Sequence, residues 1–230
     1  SANFTALKTA CQALGGVTAA TGTKGTLYIQ QGTYTIANDE IRTTGGFKIV
    51  GDGAGISVLS LTNTLVNDFL NFKNGGNVVL ENFSIVGEYN DEALPAYALT
   101  PNTTCLDFRN CDNNFMRNVS FTRLWGRGIN LTSSKNTHLS DFDIEAIYNG
   151  FQINDDSSDL TKDVYISNGI FRGFAVAGFD AESDDSTYVL ENVYIDNVTC
   201  TGHTSQVAAQ GISFTKSTST NASDFEKHKA

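Results

Sequence analysis

"MRNVSFTRLWGRGINLTSSKNTHLSDFDI", residues 116–144, decides the fold, because it holds one complete unit of a repeat and the start of the next. It opens on "MRNVSF" (116–121), passes through "TRLWGRG" (122–128), enters the short alternating segment "INL" (129–131), and comes back to "LSDFDI" (139–144), which matches its own beginning. Alternation of apolar and polar residues marks a half-buried strand. Asn118 and Asp141 stand third in the two matching segments. Asn and Asp tolerate left-handed backbone angles and bond locally, so both suit a sharp corner between strands.

The same two motifs recur on either side. Short strands "LDF", "INL", "FQI", "FDA" and "ISF" begin at Leu106, Ile129, Phe151, Phe179 and Ile212, at spacings of 23, 22, 28 and 33 residues. Gly128, Gly150, Gly178 and Gly211 precede the last four, which reads as entry through a glycine turn. The corner motif returns as "LENFSI" (80–85), "ISNGIF" (166–171) and "LENVYI" (190–195). The expected corner residues are therefore Asn82, Asn118, Asp141, Asn168 and Asn192, at offsets of 12, 12, 12, 17 and 13 from the strands starting at Leu70, Leu106, Ile129, Phe151 and Phe179. A unit of ~22 residues cannot bury an apolar face alone, whereas stacked coils bury a continuous core. The repeat predicts a β-solenoid. A leucine-rich repeat of similar period needs consensus leucines and a helical return limb, and the chain has neither.

Composition agrees with an all-β chain. In 230 residues there are 21 glycines and 2 prolines, without the Leu, Ala, Glu and Lys excess of a helical protein. One domain is expected over 1–230: a helix and lead-in over 1–24, coils over 25–215, and a polar tail over 216–230. "FTALKTACQAL" places Phe4, Leu7, Cys11 and Leu14 on one helical face, as a cap on the first coil would require. The polar tail offers no such face, so the expectation is a chain that continues or an end shielded by assembly. A net charge of −10 opposes binding to nucleic acid or anionic membranes. No apolar run reaches the ~18 residues of a membrane span. The four cysteines follow no metal-ligand spacing and read as free thiols, and the three histidines are scattered. Neither a metal nor a cofactor is read from the sequence.

"GTLYIQQGTYTI" (25–36) followed by "FKIVGDGAG" (47–55) resembles the opening of pectin-lyase-like right-handed parallel β-helices, in particular those of bacteriophage tailspikes, polysaccharide lyases and epimerases. The corner asparagines resemble the stacked asparagine ladder of that superfamily. The resemblance implies a right-handed parallel β-helix, a polysaccharide partner, an extracellular or virion-tail setting, and a trimer in the full-length protein. Two features depart from it. The "GDGxTDD"-like lead-in is missing, and "NDD" at 154–156 is not followed by the Gly-His-Gly of polygalacturonases. The glycines of "GDGAG" read as a turn, since no Lys-Ser/Thr of a phosphate loop follows.

Alternation also assigns faces. With Leu106/Phe108, Ile129/Leu131, Phe151/Ile153, Phe179/Ala181 and Ile212/Phe214 turned inward, one outward column is Asp107, Asn130, Gln152, Asp180 and Ser213. The next is Arg109, Thr132, Asn154, Glu182 and Thr215. Such a face suits sugar hydroxyls, with Asp107, Arg109, Asn130, Gln152 and Asn154 as binding residues. Asp180 and Glu182, alternate residues ~6.6 Å apart on one strand, approach the ~6.5 to 9.5 Å carboxylate spacing of inverting glycosidases. They read equally as a solvated acidic surface. Asp155 and Asp156 lie at the rim of an enlarged turn, as further catalytic candidates or as turn caps. Trp125 and Arg127 form a second binding candidate, a ring to stack on sugar beside a guanidinium, with corner packing the other reading of the Trp. The long loop "EYNDEALPAYALTPNTT" (88–104) is a third place for binding. The expectation is a domain that binds and cleaves a bacterial surface polysaccharide. The alternatives are a noncatalytic receptor-binding or structural module, or a polysaccharide lyase.

Overall fold

The first two coils lay down three short strands each and the later coils one shorter and one longer strand, and each kind stacks on its counterparts in neighbouring coils. The computed structural model describes residues 2–16, 24–37, 40–62, 68–88, 103–154, 161–183, 190–203 and 209–216. Helix α1 (Ala2–Gly15) precedes β1 (Gly25–Ile29), β2 (Gly32–Ala37), β3 (Ile41–Gly45), β4 (Phe47–Gly51), β5 (Ser57–Thr62), β6 (Leu70–Gly76), β7 (Val79–Val86) and β8 (Thr104–Asp112). There follow β9 (Asn114–Leu124), β10 (Arg127–Thr132), β11 (Lys135–Ala146), β12 (Asn149–Asn154), β13 (Thr161–Phe174), β14 (Ala177–Ser183), β15 (Leu190–Gly202) and β16 (Gln210–Lys216).

Seven strands form one sheet in the order β3-β6-β8-β10-β12-β14-β16. Nine form the other, along β1-β4-β7-β9-β11-β13-β15 with β2 and β5 beside it. All pairings are parallel, for example Leu106 with Ile129 and Ile129 with Phe151. The chain is an all-β parallel β-helix with one short N-terminal helix. Phe4, Leu7 and Cys11 of α1 are buried and Leu14 packs on the core. The helix is tied down by Asn3 Nδ2 donating to Thr35 O at 3.2 Å and by Gln12 Nε2 donating to Arg42 O at 3.4 Å.

The core runs along the axis between the sheets. Phe108 stacks on Phe72 with centroids 5.0 Å apart, Phe151 on Phe179 at 5.8 Å, and Phe142 meets Phe171 at 4.7 Å. The inward assignment matches the burial of Leu106, Phe108, Ile129, Leu131, Phe151, Ile153, Phe179 and Ala181. Ile212 and Phe214 keep the inward register, opposite Phe179 and Ala181, but are 46% and 47% exposed. They lie on β16, the terminal strand of the described sheet, so one side of Phe214 meets Phe179 at 5.6 Å and no strand stacks on the other.

Two local expectations change. Gly128, Gly150 and Gly178 lie within strands β10, β12 and β14 instead of in turns. Glycine is required there by close approach: a Cβ on Gly150 would fall 2.4 Å from the Phe171 ring and 2.6 Å from Gly178 O. The corner column is also re-registered in its last rung. Asn82, Asn118, Asp141 and Asn168 occupy it with φ of 60°, 50°, 54° and 54°, but Asn197 (φ 50°) completes it in place of Asn192. The pairing of Ser167 with Asp196 and of Gly169 with Val198 sets Asn168 against Asn197. "LENVYI" belongs one corner earlier in its coil, where Asn192 donates to Asp163.

Candidate active site

The outward column of the seven-stranded sheet starts two coils earlier than Asp107, since Arg42 pairs with Asn71. Asn71 pairs with Asp107, Asp107 with Asn130, Asn130 with Gln152, and Gln152 with Asp180. Side chains of this column and of the next link into a chain of hydrogen bonds. Asn154 Nδ2 donates to Asn130 Oδ1 at 2.9 Å, and Asn130 Nδ2 to Asp107 Oδ1 at 2.8 Å. Arg109 Nε donates to Asp107 Oδ2 at 2.6 Å. The Asp68 carboxyl lies near enough to Asp107 for that residue's charge to oppose its ionisation. Asn71 Nδ2 then donates to Asp68 Oδ2 at 3.1 Å and to Glu40 Oε1 at 2.8 Å, and Arg42 pairs with Glu40 at 2.7 Å.

A carboxyl beside another carboxylate holds its proton more tightly, since like charges at close range oppose ionisation. The Asp68 carboxyl is pushed up to about 6, first by burial and then by the charge of Asp107, with Glu40 adding to the effect and Arg109 opposing it. Asp107 is 0% exposed. Arg109 Nε and Asn130 Nδ2 both donate to its carboxyl group. The pair is reached from solvent past Arg109, whose side chain is 42% exposed, and past Asp68, at 18%. Asn71 Oδ1 is buried and has no hydrogen-bond partner among the described residues. The arrangement can donate a proton near neutral pH and can bind a polar ligand beside a guanidinium.

The residues expected from sequence fall into four groups. Asp107, Arg109, Asn130 and Asn154 join the network. Gln152 and Asp180 keep their places on the column but are buried at 1% and 2%, as are Asp107 and Asn130, so this part of the face is not the open groove that alternation suggests. Alternation states which side of the sheet a residue is on, not whether anything lies over that side. Asp180 accepts from Asn149 Nδ2 at 3.1 Å. Glu182 is set on β14 opposite Thr215, and its side chain lies outside the described residues, as do Asp155, Asp156 and residues 89–102 of the long loop. Trp125 and Arg127 sit at the β9–β10 turn, where Trp125 O accepts from Thr103 Oγ1 at 2.9 Å and Arg127 lies 5.5 Å over the Tyr148 ring.

Sequence reading passed over Glu40, Asp68 and Asn71. The available signal was register: "LNF" at 70–72 matches "LDF" at 106–108 and extends the column upstream. An aromatic row on the other sheet, Phe115, His138, Tyr165 and Tyr194, has centroids 4.9, 4.6 and 5.0 Å apart and near-parallel rings. Its ring faces are turned on one another, so it braces the coils and offers edges, not a stacking platform, to a sugar.

Parallel coils with an asparagine-marked corner and a helix at one end define the β-helix class. No protein-family model matches the chain, and no curated protein matches it. Among solved structures, ORF18 of Geobacillus virus E2 is similar, with a TM-score of 0.64 at 14% identity over 85% of this chain and 38% of that one. The A-modules of the Azotobacter vinelandii mannuronan C-5 epimerases AlgE6 and AlgE4 give TM-scores of 0.46 and 0.45 at 17% and 16% identity. They cover 84% and 83% of this chain and 53% and 54% of their own. The chain thus spans less than two thirds of the length of each, and the likeness is one of fold.

Proposed function

We propose that this chain is a carbohydrate-active β-helix domain that binds a bacterial surface polysaccharide at the Arg109 end of its seven-stranded sheet and hydrolyses it there. One observation carries the reading: Asp68, pushed up to about 6, shares the partly exposed Arg109 with Asp107, at 3.9 and 2.6 Å. In this reading Asp68 is the general acid, a role that needs a carboxyl still protonated near the working pH. Asp107 keeps it so. Glu40 is the second carboxylate. Glu40 Oε1 and Asp68 Oδ2 share one donor, Asn71 Nδ2, at 2.8 and 3.1 Å, so they lie closer than the ~6.5 Å at which inverting spacing begins. That spacing supports a retaining reaction, in which Glu40 attacks the anomeric carbon as Asp68 protonates the leaving oxygen. Water then releases the sugar from Glu40.

Asp180 and Glu182 stand as the competing catalytic pair, and the burial of Asp180 is the reason for preferring Asp68. Buried Asp107, Asn130, Gln152 and Asp180 also favour a second reading, a noncatalytic receptor-binding module whose polar column is a structural spine. A reducing-sugar assay over a panel of capsules and lipopolysaccharides, with absorbance for unsaturated products, separates hydrolase, lyase and binder. The hydrolase reading expects reducing ends without unsaturation, abolished by Asp68→Asn and by Glu40→Gln. Binding without cleavage on any polysaccharide would establish the module, and unsaturated products a lyase. The virion or cell-exterior setting and a trimer of the full-length protein belong to the same proposal, the trimer being tested by light scattering.

A further inference from the structure

Beside the Asn74–Asn110 pair, two longer asparagine ladders run along the described coils, and one aspartate interrupts each. In the first, Asn113 Nδ2 donates to Asn77 Oδ1 at 3.4 Å, Asn136 to Asn113 at 2.8 Å, and Asn192 to Asp163 at 2.8 Å. In the second, Asn118 donates to Asn82 at 2.8 Å and Asn197 to Asn168 at 3.0 Å. Each amide donates to the residue one coil nearer the N-terminus. An ionised aspartate has no proton to donate. Asp163 therefore leaves Asn136 Oδ1 without its ladder donor, and Asp141, paired in register between Asn118 and Asn168, does the same to Asn118 Oδ1.

The two breaks are treated differently. At the first, the His138 ring closes the gap, with Nε2 2.8 Å from Asn136 Oδ1, which assigns the proton to that nitrogen. At the second, no side chain among the described residues takes that place. The break opens instead on a shallow groove of about 480 Å³, lined by Asn118, Ser120, Asp141, Asp143, Asn168 and Thr199 among others. These residues come from four successive long strands, β9, β11, β13 and β15, so the groove runs for ~14 Å at ~4.8 Å per strand.

We propose that this groove is a second binding site, for a neutral saccharide chain, with sugar hydroxyls donating to Asn118 Oδ1 and the Asp141 carboxylate at the break. Hydroxyls both donate and accept, which fits a lining of amides, hydroxyls and carboxylates. Ile170, 41% exposed in the same lining, gives an apolar contact for the C–H face of a ring. Charge selects against an anionic chain. Asp143 is already paired with Arg172 at 2.8 Å, and Arg172 also binds Glu145 at 2.6 Å, so the groove keeps a negative excess at Asp141. The groove lies on the other sheet from Asp68, and the proposal stands or falls independently of the reaction assigned there.

The test uses calorimetric titration and amide NMR of the whole chain with cellohexaose, maltohexaose and mannohexaose, and with a galacturonate hexamer as the charged counterpart. At least one neutral hexamer should bind, moving signals at 118–120, 141–143, 168–170 and 197–199, with the galacturonate weaker by about tenfold or more. Asp141→Asn rebuilds the ladder in a residue type that tolerates the same left-handed φ. It should raise the melting temperature and weaken binding about tenfold. Asp163→Asn, outside the groove, should leave Kd unchanged. The proposal is overturned if no neutral hexamer moves the groove signals, if Asp141→Asn binds as well as the wild type, or if the galacturonate binds more tightly.

Discussion

Replacing Asp68 by Asn separates the chemistry of this carboxyl from its shape. The native protein holds its proton up to about pH 6, against the ordinary value of 3.8, because burial and then the charge of Asp107 disfavour ionisation. Between those two values the unfolded chain has lost the proton and the folded chain has not. Folding takes up a proton in this window, so stability falls as pH rises through it. Below pH 3.8 the stabilisation is fully present, and above about 6 it is gone. A shift of this size corresponds to ~3 kcal/mol at 1.36 kcal/mol for each tenfold change in acidity. Asp68 keeps contact with solvent and with Arg109, so screening reduces the expected effect to ~1.5 kcal/mol. The variant cannot ionise, yet its amide can still accept from Asn71. We expect it to match the wild type near pH 4 and to exceed it by ~1.5 kcal/mol at pH 7.5. Urea denaturation of both proteins from pH 4 to 7.5 measures this, and taking their difference cancels the other carboxylates. Turnover should fall by ~10²-fold or more, the usual worth of a general acid. A constant stability difference across the pH range would refute the raised carboxyl, and unimpaired turnover would refute its role.

Phe151→Ala should cost ~3–5 kcal/mol in denaturant unfolding, because a fully buried ring stacked on Phe179 is replaced by a cavity; a loss below ~1 kcal/mol would contradict the inward assignment of β12. Asp180→Asn should leave turnover unchanged, and a loss of turnover would return catalysis to β14. Arg172→Ala, which breaks the bridges to Asp143 and Glu145 at a partly exposed site, should cost ~1 kcal/mol at low salt and less at ~1 M, as thermal unfolding at two ionic strengths will show.

The fold was legible because a solenoid writes its period into the chain. "INL" and "LSDFDI" fix one coil, and their recurrence fixes the stack, since each coil packs only on its neighbours. The errors came where length alone was ambiguous. In the coil after Phe179 two asparagines, Asn192 and Asn197, stand near the expected corner, and "LENVYI" copies "LENFSI" so closely that similarity pointed to the wrong one. Backbone pairing decides it: Val193 must oppose Val164 and Cys200 must oppose Phe171, which leaves only Asn197 at the corner. The glycines before the short strands were noticed for the right reason, that a side chain is excluded, but the excluding object is the next coil and not a turn.

The site was legible only as far as register carries. Asp107, Arg109, Asn130 and Asn154 could be found because alternation within "LDF", "INL" and "FQI" puts them on one side of one sheet. Their burial could not, since it depends on what covers that side. Asp68 is harder still: it precedes β6 and belongs to no alternating triplet, and nothing local distinguishes it from the other carboxylates of an acidic chain. What singles it out is the distance to Asp107, 39 residues later in the sequence and one coil away in space. The raised proton affinity therefore depends on stacking, not on either residue alone. A change in length between Leu70 and Leu106 is harmless if the turns absorb it. A one-residue slip of β6 against β8 would instead turn Asn71 inward, remove the donor shared by Asp68 and Glu40, and dismantle the site together with the rung.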